Sequence, residues 1–395
     1  MKKYSKLLTF LTLSIIVLGF HGISMAFAES ENRVLEFKTL EGDDVYLDDL
    51  IIRGFATGST EIFDPSFSYR DRTFTYAKDQ SLFKRLDEVE DPQINRIRER
   101  YRSFVRGKSS RGYFKETDDV IVYANSSNAV FPSYKDQTLD ISVLNKADDS
   151  ISDYTLELPI EESQVASLEN VYINYPNVYF TVHSSMTLSV FSTNLNDATP
   201  SLSLEENLTD SIGTNIGLTY SYMYAESPNQ RFLTIGKLEN ADTDLDSSDM
   251  VFNSSDIKPS HIYDYQTGKI IDLDLSTNDS LFIDVIVEDD LLFLMSEFEK
   301  TFTLQEIDTD GGLSEPTEIT KETLPTLDNP SINNSDFSVI GIKDGRLYSR
   351  ISAYPHGSTN SAIQVNDLES GELLYFGMIV PESLDVWVST IYLND

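Results

Sequence analysis

Residues 343–371 read KDGRLYSRISAYPHGSTNSAIQVNDLESG. The stretch opens on Lys343-Asp344-Gly345, where Asp-Gly suits the type I′ turn of a tight hairpin. It closes on a second turn at Glu369–Gly371. Two successive hairpins are four strands, so this segment predicts one four-stranded antiparallel sheet. The same pair of turns recurs along the chain. First turns fall near Asp118, at Tyr175-Pro176-Asn177, at Ser227-Pro228-Asn229 and at Asp289-Asp290. Second turns follow at Asp148-Asp149, Asn194–Asp197, Gln266–Gly268 and Asp308–Gly312. With centres at 118, 176, 228, 289 and 344, the unit repeats every 52 to 61 residues.

Between the turns the chain alternates. Leu139, Ile141 and Val143 are separated by Asp140 and Ser142, and Tyr154, Leu156, Leu158 and Ile160 repeat the pattern. Period-2 alternation puts one strand face on a core and the other in water. Four-stranded units repeated radially make a β-propeller. The segments Ile262–Lys269 and Val365–Glu372 both carry Asp, then a small hydroxylated residue, then Gly. They resemble the outer-hairpin turns of β-propeller repeats in general. That resemblance implies an all-β propeller of six or seven blades across residues 29–395. Val386, Val388 and their neighbours near the C-terminus are expected to complete a sheet begun by Val45–Phe55, since joining the ends removes exposed edges. The alternative that evenly spaced short strands allow is two β-sandwich domains.

The N-terminus reads as an export signal. Lys2, Lys3 and Lys6 precede an apolar run from Leu7 to Phe20, and Ala26-Phe27-Ala28 supplies small residues at a cleavage site. This is the pattern of a cleaved signal peptide, residues 1–28, with an uncleaved N-terminal membrane anchor as the alternative. The expected location is secreted or extracytoplasmic. No Cys occurs, so disulfides, thiol nucleophiles and Cys-ligated metals are excluded. The formal charge of −35 argues against nucleic acid, whose binding needs a basic footprint.

One segment departs from both trends. Asp91, Pro92 and Gly107 mark the ends of an inserted helix near 91–107, with Ile94, Ile97, Tyr101, Phe104 and Val105 on its apolar stripe. Arg98, Arg102 and Arg106 are four residues apart and would share a face of one continuous helix. They are the candidate site for an anion or a docking partner, with offsetting of the acidic body as the plainer reading.

Motifs for catalysis are missing. There is no histidine pair at zinc-protease spacing, no G-x-S-x-G elbow and no phosphate-binding glycine loop. His356-Gly357-Ser358 matches only by residue type. No cofactor is expected; Asp242, Asp244, Asp246 and Asp249 could converge oxygens on calcium, with a solvated acidic loop as the plainer reading. Glu306, Asp308, Asp310 and Gly311 resemble a fragment of a calcium loop that lacks its closing Glu. Tyr172, Tyr175, Tyr179, Tyr220, Tyr222 and Tyr224 fit packing between sheets, or a sugar-binding surface.

These features favour a secreted, non-catalytic binding or accessory module of the cell envelope. Its partner would be an envelope protein or glycan, with peripheral docking at a surface and no nucleic acid. The alternative is a secreted glycan hydrolase using two carboxylates. Intact mass of the exported chain tests the leader: the expected new N-terminus is Glu29, and a retained Met1 identifies an anchor.

Overall fold

In the computed structural model the chain forms six antiparallel sheets in series. The structure describes residues 35–57, 66–80, 92–109, 112–126, 137–160, 166–184, 187–214, 216–219, 229–238, 257–273, 275, 282–288, 290–322, 335–353, 360–380 and 385–393. Residues 1–28, expected to be a leader, lie outside them. Among the described residues no helix is long and apolar enough to cross a membrane.

The second to fifth sheets each take four consecutive strands in chain order. These are Tyr113–Glu116 to Ile151–Glu157, Ala166–Asn174 to Ser203–Asn207, Ile216–Leu218 to Lys269–Asp272, and Phe282–Glu288 to Thr317–Thr320. The first strands of neighbouring sheets approach one another. Tyr113–Glu116 lies near Ala166–Asn174, and Phe282–Glu288 near Ser335–Lys343, which in turn meets Asp385–Leu393. First strands are therefore innermost, the order of a propeller. Each later sheet holds its neighbour through a separate apolar cluster. Phe232, Ile262 and Ile271 of the fourth sheet meet Val285, Val287, Leu292 and Leu294 of the fifth. Ile286, Phe293 and Met295 point the other way, onto Val339, Ile342 and Leu347 of the sixth. Both faces of these strands are buried, which differs from the one-sided burial that alternation implies. It explains near-continuous apolar runs such as Leu292–Met295. Packing in series also rules out two sandwiches, where each sheet has one inner face.

Both chain ends take part in closure. The C-terminal strand Asp385–Leu393 pairs with Leu50–Thr57 and becomes the inner strand of the first sheet. Ser389 is an extra residue there, because Arg53 pairs with Thr390 and Gly54 with Val388. That bulge brings Ile391 to the same face as Val386 and Val388, so all three are buried in one cluster. The other end crosses in the opposite sense. Glu36–Gly42 adds a fifth, outermost strand to the sixth sheet by pairing with Leu373–Val380. Residues 44–49 form a 3-10 turn between the two pairings, where the sequence reads as strand. Gly42 has φ +79°, and a Cβ there would sit 2.0 Å from the Leu374 carbonyl oxygen, so only glycine fits.

The eight turns whose residues are all described fall between the strands expected of them, the turns at 227–229 and 289–290 lie partly outside the described residues, and among the described residues no seventh sheet forms. At the opening hairpin Asp344 and Gly345 both have positive φ, 50° and 72°, as a type I′ turn requires.

Ile52 is fully buried in the closing cluster, whereas Leu204 is exposed on an outer strand. Ile52→Ala is expected to lower unfolding free energy by about 2–5 kcal/mol. Leu204→Ala should stay within about 0.5 kcal/mol, with urea unfolding as the measurement.

Candidate functional site

The inserted helix is the feature that departs most from the repeat. It runs Pro92–Arg100, breaks at Tyr101 (φ −124°, ψ 51°) and resumes over Arg102–Val105. Ile97, Phe104 and Val105, with Ile94 and Tyr101 at the edge, pack onto Phe114, Ile121, Tyr123 and Leu144. This is the face of the second sheet opposite the one that meets the third sheet. Arg96 Nη2 lies 3.9 Å from Glu116, which also holds Lys146 Nζ at 2.6 Å. Lys108 Nζ sits 4.3 Å from the centre of the Phe104 ring, and burial pushes this ammonium below its usual range, against the pull of Asp153. The Tyr123 hydroxyl accepts from the Ser109 N–H (3.1 Å).

With its apolar side spent on the sheet, the helix turns its basic side outward. Arg100, Arg102 and Arg106 are exposed and Arg98 is half-buried. The break at Tyr101 means that the three candidate arginines do not lie on one continuous helical face. Arg98 precedes the break, Arg102 opens the short second piece, and Arg106 ends it in an extended conformation. They lie instead along one short segment, on the side away from the apolar contacts.

The acidic loops divide. Asp242, Asp244, Asp246 and Asp249 lie outside the described residues, as do Tyr220, Tyr222, Tyr224 and His356. The second loop is described, and two of its carboxylates, Asp308 and Asp310, are already engaged. Asp308 Oδ1 accepts from the N–H groups of Asp310 and Gly312, both at 2.8 Å. Asp310 pairs with Lys269 of the preceding sheet at 2.6 Å. Among the described residues no three metal-binding side chains gather.

Asx side chains close the second turn of five sheets, a repeat wider than the two segments noticed in the sequence. Asn145 and Asn194 accept from the N–H two residues on. Asp264 and Asp308 do the same with a carboxylate, and Asp367 accepts from the Ser370 N–H three residues on. An Asx side chain at a strand end imitates a backbone turn, and this explains the recurrence without any ligand. Asp264 goes further. Its carboxylate, 4% exposed, is held bidentately by Arg231 at 2.8 and 2.6 Å and also accepts from Thr267 Oγ1. Burial pushes this acid up, but the bonds from Arg231, Thr267 and the Gln266 N–H outweigh it and hold it below the usual range. Arg231 also reaches Asp290 of the next sheet at 3.2 Å.

The strand tyrosines divide as well. Tyr172 stacks on Tyr265 with ring centres 5.2 Å apart, and Tyr179 leans on the same pair. The Tyr265 hydroxyl meets Thr181 and accepts from Asn170, so these rings lock the third sheet to the fourth. Tyr175 is different. It is 43% exposed on the turn beside Pro176, and with Asp118, Asp119, Asn145, Lys146 and Ala147 it lines a shallow cleft of about 380 Å³. Lys146 is already held by Glu116 and the Thr117 carbonyl.

A carboxyl raised above its usual range, as a glycosidase acid would need, occurs at Glu322. Burial is the main cause and the charge of Glu41 adds to it. Glu322 follows an outermost strand, and its N–H donates to Gln364, so it lies at the rim between two sheets rather than on the innermost strands.

No protein-family model and no curated protein matches the chain. Solved structures resemble it weakly. A prolyl endopeptidase is 10% identical over 69% of this chain and 36% of that one (TM-score 0.38). TolB from Acinetobacter baumannii is 10% identical over 87% and 67% (TM-score 0.32). The D477G ACO/RPE65 chimera is 8% identical over 93% and 98% (TM-score 0.44). The chain thus spans about a third of the length of the endopeptidase. The β-propeller architecture rests on the sheet order and packing described above.

Asp264→Asn is expected to cost about 2–3 kcal/mol, the worth of a charged hydrogen-bonded pair. The native carboxyl titrates below its unfolded value, so its stabilisation is present above about pH 4 and is lost as pH falls through the lower native value. Urea midpoints from pH 7 to 3 should therefore converge for the wild type and this variant in acid.

Proposed function

We propose that the protein is an extracytoplasmic accessory module that docks to phosphate-bearing material of the cell envelope through the segment holding Arg98, Arg102 and Arg106. The observation that carries this reading is a local reversal of charge. In a chain of net charge −35, the inserted helix spends its apolar side on the second sheet and exposes arginines on the other. Guanidinium groups bind phosphate oxygens through paired N–H donors and stay charged at any physiological pH. The acidic remainder is repelled by an anionic surface, so the molecule would approach it with this segment foremost. Phosphate is the shared chemistry of anionic lipid headgroups and of phosphodiester wall polymers.

A second reading rests on the cleft beside Tyr175. An exposed phenol ring offers a stacking surface, and the neighbouring carboxylates accept from hydroxyl groups, a combination that suits one sugar unit of an envelope glycan.

The docking reading is tested on the exported chain with two probes, phosphatidylglycerol vesicles and soluble poly(glycerol phosphate). Binding to one or both should weaken steeply with added salt. Triple reversal to Glu at 98, 102 and 106 should reduce it at least about tenfold, since each basic contact is worth about 1 kcal/mol near such a surface. Equal binding by this variant would dismiss the arginines as the docking segment. Preference between the probes identifies the source of the phosphate.

A further inference from the structure

The fourth sheet holds a chain of three polar side chains that the docking role does not use. In the strand Ile257–Asp264, Ile235 pairs with His261 and Gly236 with Pro259, so Ser260 is an extra residue without a partner across the ladder. Side chains of successive residues point to opposite faces in a regular strand, and a bulge re-aims one of them. Here it brings Ser260 Oγ to 2.7 Å from Nδ1 of the adjoining His261. On the far side of the ring, His261 Nε2 lies 3.0 Å from Asp272 Oδ1, the residue directly opposite in the next strand. An ionised carboxylate only accepts, so Nε2 carries the hydrogen. Nδ1 then presents a lone pair, and the Ser260 hydroxyl donates to it at 2.7 Å in preference to the Ile235 carbonyl at 3.4 Å.

The charge state agrees with this order. Burial holds the imidazole below its usual value, Asp272 pulls the other way, and Lys237 pushes it further down. At neutral pH the ring is an unprotonated base aimed at a hydroxyl, and a carboxylate steadies its other nitrogen. Both Ser260 and His261 are half-buried and keep contact with solvent, while Asp272 is exposed. Nucleophile, base and orienting acid are within hydrogen-bond reach in sequence, the geometric signature of an activated serine.

We propose that Ser260 is an activated nucleophile, with His261 as its base and Asp272 as a positioning residue, and that it gives the fourth sheet an acyl-transfer activity toward small carboxylic esters. In the acylation step Oγ forms a bond to the carbonyl carbon and its proton passes to Nδ1. The bond from that carbon to the leaving oxygen breaks, and the leaving alkoxide takes the proton. Water then repeats the sequence, releasing the carboxylic acid and restoring Ser260. Esters suit the site better than amides because their leaving group departs with less stabilisation of the tetrahedral oxygen. The activity is independent of the arginine segment and does not stand or fall with docking.

The probe is a small alkyl fluorophosphonate added to the full chain, with the adduct located by peptide mass. In this reaction Oγ forms a bond to phosphorus, the phosphorus–fluorine bond breaks, and fluoride leaves. The expected result is one adduct on Ser260. Its rate should rise with pH as His261 loses its proton, with a midpoint below 6.5. His261→Gln, with its melting temperature checked, should slow the reaction by about a hundredfold, the worth of a general base. Asp272→Asn should move the pH profile, which a purely structural role would leave in place. Failure to label Ser260, or equal rates in wild type and His261→Gln, would each overturn the proposal.

Discussion

The seam between the sixth and first sheets is the constraint on which the rest of the architecture depends. Leu50, Ile52, Val386, Val388 and Ile391 from the first sheet interleave there with Ile340, Tyr348, Ile363 and Tyr375 from the sixth. Polar groups flank that apolar contact. Asp49 accepts from the Tyr348 hydroxyl at 2.6 Å and pairs with Lys343 at 3.0 Å and Arg346 at 3.8 Å. Arg350 donates to the Val388 carbonyl at 2.7 Å. Sheets with two apolar faces cannot stop at an end without exposing one of them. Crossing the chain ends, with Glu36–Gly42 on the outside of the sixth sheet and Asp385–Leu393 on the inside of the first, joins the two sheets by backbone as well as by side chains.

The same logic accounts for the inserted helix. The second sheet presents Phe114, Ile121, Tyr123 and Leu144 on the face away from the third sheet, and the helix covers that face. Arg100, Arg102 and Arg106 are outward because Ile97, Phe104 and Val105 are inward. In the proposed docking role the segment is a by-product of burying one more sheet face, and its charge would supply the attraction. The Ser260 chain has an analogous origin, since a single extra residue in one strand decides that a hydroxyl meets an imidazole.

Much of the fold was legible in the sequence. Asp-Gly at 344–345 and the Asx-rich second turns carry their own backbone preferences, so their positions follow from residue type alone. The surplus of negative charge and the place of the inserted helix were legible for the same reason. Other features were hidden. Glu36–Gly42 lacks a strong apolar alternation, with only Phe37 and Leu40 turned inward, and its pairing depends on an edge more than three hundred residues away. The break at Tyr101 has no Gly or Pro to mark it in the sequence. Tyr172 and Tyr175 have the same chemistry, yet one is locked between sheets and the other sits on an exposed turn. Period-2 pattern shows that a strand has two faces; it does not say what covers each.

By itself the amino-acid sequence determined the all-β class, the spacing of four-stranded units, the site of the helix and the surplus of negative charge. Each depends on local preference or on simple counting. Only the tertiary structure decided the number of sheets, the double crossing of the ends, which arginines face outward and which serine meets a histidine. Those outcomes depend on contacts between residues distant along the chain, and they are set by which apolar faces remain to be covered once the neighbouring sheets have packed.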